Sequence, residues 1–250
     1  MSSLSFAGID LGQYGVTLRA DTRRSIVPPP RLRHTTVTGR HGAYSFEGQY
    51  EPREFMCDLL IEGLSLSDLH VKIDYIASVL NVERGVQPFA IDAQPDRYWL
   101  AQLARNPEFI YQGRLATAQA PFICTDPFAY GVDAISRDHT IDSTPQTVYE
   151  SLLGNTHCEP VWTLVPDVAL VGDEVVIAVG TTADELTWTG SAGVDEELIV
   201  NTSLWYVTVE GSASMNISGS FPRLLGGVTN TITITGFSGV LNVAYRPRYL

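Results

Sequence analysis

Alternation of apolar and polar residues with a period of two runs through most of this chain, and a single stretch breaks it. In Glu54 to Glu62, Phe55, Cys57, Leu59 and Ile61 alternate with more polar neighbours. Ile232 and Ile234 alternate with threonines, and Leu241, Val243 and Tyr245 alternate with Asn242, Ala244 and Arg246. Successive side chains of a strand point to opposite faces, so this pattern marks strands with one buried face. Turn signals such as His41-Gly42, Gly211-Ser212, Gly226-Gly227 and Ser238-Gly239 separate the runs. The exception is residues 65–81, where Leu66, Leu69, Ile73, Ile76 and Leu80 fall at helical spacing. Ser65 followed by Asp68 resembles a capping box with Asp in place of Glu. The chain is therefore read as mainly β, with one amphipathic helix flanking a sheet.

Between Ile135 and Gln146 the sequence turns polar, and the charge changes at the same place. Residues 1–137 hold 13 basic and 15 acidic side chains, whereas residues 138–250 hold 3 and 13. The two shifts together place a domain boundary there, giving units 1–137 and 138–250. In the first unit, Phe89 to Leu103 reads as a hairpin, because Asp92-Ala93-Gln94-Pro95-Asp96 is turn chemistry followed by Arg97-Tyr98-Trp99. Such a hairpin is by default an internal part of a sheet; the alternative is a protruding contact with a neighbouring subunit, with Asp92, Asp96, Arg97 and Tyr98 as its candidate interface residues. The second unit has short strands in close succession and little helix signal, which suggests a β-sandwich; Trp205 to Glu210 is one such strand.

Several chemistries are missing from the sequence. The sole lysine, Lys72, lies inside the helical stretch and follows no glycine loop. The five histidines show no metal-ligand spacing, and no Gly-x-Ser-x-Gly elbow occurs. The reading is of no catalytic residue, no cofactor and no metal site. No Lys or Arg lies between Asp138 and Pro222, so the second half would repel a phosphate backbone. Cys57, Cys124 and Cys158 are few and widely separated and read as buried small hydrophobes. The longest apolar runs are too short to cross a bilayer, and a protein made in a cytoplasm is expected. Three of the four tryptophans lie in the acidic half. Trp162 and Trp205 sit in strand-like runs, whereas Trp188, between threonines and beside Gly190, is the candidate for stacking on a sugar.

Spaced signatures then run along the chain. They include Gly8-Ile9-Asp10, Pro28-Pro29-Pro30-Arg31, Thr38-Gly39-Arg40-His41-Gly42-Ala43-Tyr44-Ser45-Phe46 and Asp92 to Ala101. Cys124-Thr125-Asp126-Pro127-Phe128, Gly219-Ser220-Phe221-Pro222-Arg223-Leu224 and Tyr245-Arg246-Pro247-Arg248-Tyr249-Leu250 follow. In this order they resemble the distal tail proteins (Dit) of bacteriophages with long non-contractile tails. The resemblance implies an N-terminal β-sandwich-type domain with a flanking helix and hairpin, which forms the ring, and a C-terminal galectin-like β-sandwich. It implies a virion component at the distal end of the tail: a structural hub whose homo-hexameric ring joins the tail tube protein to the tail-tip or baseplate protein. It also implies that a receptor-binding protein attaches to the hub, that DNA passes through the lumen without specific binding, and that no membrane is involved. The alternative is a carbohydrate-binding module for cell-wall polysaccharide in the C-terminal sandwich.

Overall fold

The computed structural model describes residues 3–19, 23–25, 27–46 and 48–250. The chain is mainly β and divides into two compact units, one running through Ala129 with Leu250 added, the other Tyr130–Tyr249. The division thus falls ahead of the polar run within which it was expected, between residues 137 and 138. That run is the strand Ile135–Ile141, which pairs along its whole length with Gly239–Tyr245. It looks like a linker because it is an edge strand with one wet face, on which Ser136, Asp138 and Thr140 are exposed.

In the first unit an antiparallel sheet runs in the order Ile9–Asp10, Leu4–Phe6, Gln87–Ile91, Arg97–Leu103, Leu115–Cys124, Arg53–Glu62, Val16–Leu18. Its two ends, Ile9–Asp10 and Val16–Leu18, are joined by the single short turn Leu11–Tyr14, so the sheet must curl back on itself. Inside the curl, Phe89 stacks on Phe122 with centroids 4.8 Å apart, and Phe55 meets Trp99 edge-on at 4.9 Å. The strand Arg53–Glu62 has the expected alternation, with Phe55, Cys57, Leu59 and Ile61 fully buried.

The helix is Leu66–Val79. Ser65 caps it by accepting from the Asp68 backbone N–H at 3.1 Å, and the Asp68 carboxylate reaches back to the Leu64 N–H at 2.7 Å. Two N-terminal donors are thereby satisfied by one short sequence. Leu69, Ile73, Ile76, Val79 and Leu80 are buried. Leu66, expected in that stripe, is the first helical residue and is exposed.

The second unit is a sandwich of two antiparallel sheets. One runs Ile135–Ile141, Gly239–Tyr245, Val161–Pro166, Leu198–Asn201, Tyr206–Val209, Ser212–Ser214. The other runs Gln146–Ser151, Thr229–Thr235, Leu170–Val179, Asp184–Ala192, Ile217–Gly219. Trp162, Leu164, Leu241 and Val243 of the first meet Ile177, Trp188, Ile232 and Ile234 of the second in one core. At the edge of the sandwich, Glu150 points inward and is fully buried. It accepts from Arg137 at 3.0 Å and lies 2.6 Å from His139 Nε2, so a charge cluster links the two edge strands. A buried carboxylate is tolerated only with such partners.

Candidate assembly surfaces

Residues 28–46 and 48–51 form a two-stranded arm. Its lower rungs pair Pro30 with Tyr50 and Arg31 with Gln49, and its upper rungs pair His34 with Ser45 and Thr35 with Tyr44. Backbone bonds from Glu51 to Pro29 (2.8 Å) and from Phe46 to Arg33 (2.9 Å) continue the ribbon between and below these rungs. The tip turns at Gly39 and Gly42, both with positive φ near +86° (85° and 87°), a region glycine enters without steric cost. At the root, Pro28 is buried, Tyr50 meets Phe128 edge-on at 5.9 Å, and the buried Arg53 donates to the Ser25 carbonyl. Beyond the root the described residues are exposed, including Leu32, Val37, Tyr44 and Phe46. A lone two-stranded ribbon is marginal in water, and its free edges and apolar side chains are a ready template for another chain. Reading the sequence located the segment without giving it this role. Three prolines followed by two glycine turns were the available signal.

The hairpin expected at residues 89–103 is present, with Gln87, Pro88 and Phe89 opposite Ala101, Leu100 and Trp99. Its turn brings Asp92, Asp96, Arg97 and Tyr98 together, but these residues have different tasks. Asp92 accepts from the Ser3 backbone N–H at 2.8 Å and the Ser3 hydroxyl at 2.6 Å, which ties down the start of the chain. Asp96 pairs with Arg97 at 2.7 Å, and the guanidinium holds its carboxyl below the usual range. Tyr98 is half-buried. The hairpin is an integral part of the curled sheet, and its exposed residues are Pro88 and members of its turn.

A half-open groove of about 570 Å³ lies on the outer face of the same unit. Met56 and Asp58 from one strand and Thr117 and Gln119 from its neighbour form its floor; Arg19, Arg105 and Glu108 stand among its walls. Arm and groove are unlike surfaces, and both belong to the first unit. Among the described residues, no group of three or more His, Cys, Asp or Glu side chains lies close enough together to hold a metal ion.

Trp162 is buried as expected, but the structure reverses the readings of Trp188 and Trp205. Trp188 is 2% exposed, in the sandwich core, and its indole N–H donates to Ser214 at 2.8 Å. It has no free ring face to offer a sugar. Its position inside Asp184–Ala192 obeys strict alternation, and the flanking threonines, which suggested exposure, are simply the outward residues. Trp205, expected in a strand core, is 76% exposed. The strand begins one residue later, at Tyr206, and Trp205 sits in the preceding turn with φ +55°.

Residues 9–124, nearly the whole first unit, match the family model of the phage tail protein RIFT-related domain. Over its full length the chain is similar to SPP1 Dit, a protein of the hub adsorption apparatus of phages infecting Gram-positive bacteria. The two share 17% identity with 100% of each chain covered and a TM-score of 0.80. A chain of the phage p2 baseplate aligns at 9% identity over 98% of each chain, with a TM-score of 0.47. Among curated proteins, none matches the sequence. The first unit is therefore similar to the phage tail protein RIFT-related domain over most of its length. Over its whole length the chain shares the fold of SPP1 Dit.

Proposed function

We propose that this chain is a structural hub of a long non-contractile phage tail, at the distal end of the virion. Six copies close head-to-tail into a ring that joins the tail tube to the tip or baseplate and offers attachment for host-binding proteins. The observation that carries this reading is the exposed arm 28–51, which projects apolar side chains from a phage tail domain without covering them. Closure into a ring requires each copy to present two different, complementary surfaces. The arm and the outer groove of the first unit are such a pair, with the turn at Asp96 and Arg97 as a further contact. The lumen then passes DNA without binding it specifically, and shape does the work. The carbohydrate-binding alternative rested on Trp188, whose burial leaves it without a carrier.

Light scattering after size exclusion, with negative-stain imaging, tests the reading. The expected result is a closed ring of the pure protein, or of the protein with its tail partners. The double variant Leu32→Ser/Phe46→Ser is expected to remain monomeric with an unchanged unfolding midpoint, because both side chains are exposed in the monomer. A wild-type protein that stays monomeric at high concentration and docks on neither tube nor tip proteins sinks the reading.

A further inference from the structure

The second unit carries an exposed aromatic device that the ring does not use. The loop 202–205 joins Leu198–Asn201 to Tyr206–Val209. Thr202 is buried there and anchors the loop three ways. Its N–H donates to Pro160 (3.2 Å), its hydroxyl donates to the Pro222 carbonyl (3.1 Å), and that hydroxyl accepts from the Trp162 indole (3.2 Å). The Asn201 side chain accepts from the Leu204 N–H at 3.0 Å and donates to the Tyr206 hydroxyl at 3.4 Å. Trp205 is thereby held at φ +55°, a region bulky residues rarely enter, with its indole in solvent. Leu204 and Tyr206 are exposed beside it. Val207 pairs with Ser214, the last residue of its strand, and Met215, which follows Ser214, is 87% exposed.

The geometry points to a docking surface for a second protein of the tail, one that presents an apolar recess rimmed by Arg or Lys. A rigid Trp and Tyr flanked by Leu and Met is the composition of an interface anchor, and preorganisation removes the ordering cost of binding. A sugar would need free hydrogen-bonding groups beside the ring, but the Asn201 amide and the Thr202 hydroxyl are already engaged. The basic rim follows from charge. Residues 130–249 carry 4 arginines, no lysine and 14 acids, so the unit draws a cationic partner and repels an anionic one. This inference rests on the hub reading above for placing the partner in the same particle.

The test is to build Trp205→Ser/Met215→Ser into the phage that encodes the chain and to quantify the proteins of purified tails by mass spectrometry. The variant chain is expected at wild-type stoichiometry, with one other tail protein depleted about tenfold or more. That protein, purified, is expected to bind the wild-type chain roughly 30-fold or more tighter than the variant, with an association rate that falls as salt rises. Tails that retain every component alongside the variant chain overturn the inference alone. Loss of ring formation in the variant, or heat of binding to neutral wall polysaccharide that the variant abolishes, also overturns it by assigning the surface to another occupant. Absence of the chain from wild-type tails overturns the hub reading and this inference with it.

Discussion

Burial governs the reactive side chains. Cys57, Cys124 and Cys158 are free and buried, and burial pushes each thiol up to about 12. The thiolate is the nucleophile, so a disulfide-exchange reagent at about pH 8 is expected to label none of the three in the native protein and all three after unfolding. Asp184 is the contrasting case. Burial pushes its carboxyl up, but the Arg223 side chain (Nε at 3.1 Å) and backbone N–H (3.2 Å) outweigh that and leave it below the ordinary range. A depressed pKa contributes stability above the unfolded-state value, about 4, and loses it as pH falls through the folded value. Asp184→Asn is accordingly expected to cost about 1–2 kcal/mol near neutrality. In thermal melts its deficit against wild type is expected to shrink as the pH is lowered from about 5 to about 2. A deficit independent of pH would show that the charge plays no part.

At the scale of elements, the helix and the strand ends depend on local chemistry. Ser65→Ala removes the acceptor that caps Leu66–Val79, and a loss of about 1 kcal/mol is expected in chemical denaturation. At Gly236, just past the strand Thr229–Thr235, the chain turns with φ +74°, and a Cβ would run into the Glu174 carbonyl of the neighbouring strand. Gly236→Ala is expected to destabilise the protein by about 3 kcal/mol, since both the dihedral and the contact are violated. The arm behaves differently. It rests on few contacts of its own, so its exchange protection is expected to be low in the monomer and to rise on ring formation, measured by amide hydrogen exchange. Unchanged protection on assembly would count against the arm as the closing element.

For the whole molecule, the proposed function rests on shape and charge distributed over surfaces. Alternation, the capping signature Ser65–Asp68 and the turn glycines were legible in the sequence because they act between near neighbours. They gave the β class, the helix and the hairpin expected at residues 89–103, whose first strand begins at Gln87. The ordered signatures also carried the distal-tail resemblance, which the full-length match to the SPP1 Dit fold supports. The division after Ala129 differs from the one expected between residues 137 and 138, because an edge strand with one wet face is as polar as a connecting segment. The ranking of tryptophans failed for a related reason: alternation gives opposite faces but does not say which face is inside. That Trp188 is core and Trp205 is exposed depends on strand register, on where the strand starts, and on the three bonds that anchor Thr202. Exposure of the arm was likewise invisible, since it results from what fails to pack against it. The sequence by itself determined which segments extend, which one coils and where the chain turns, because those outcomes follow from dihedral preference and periodicity within a few residues. Tertiary structure alone decided which faces are covered and which are left for partners, because burial is settled by contacts between residues far apart in the chain.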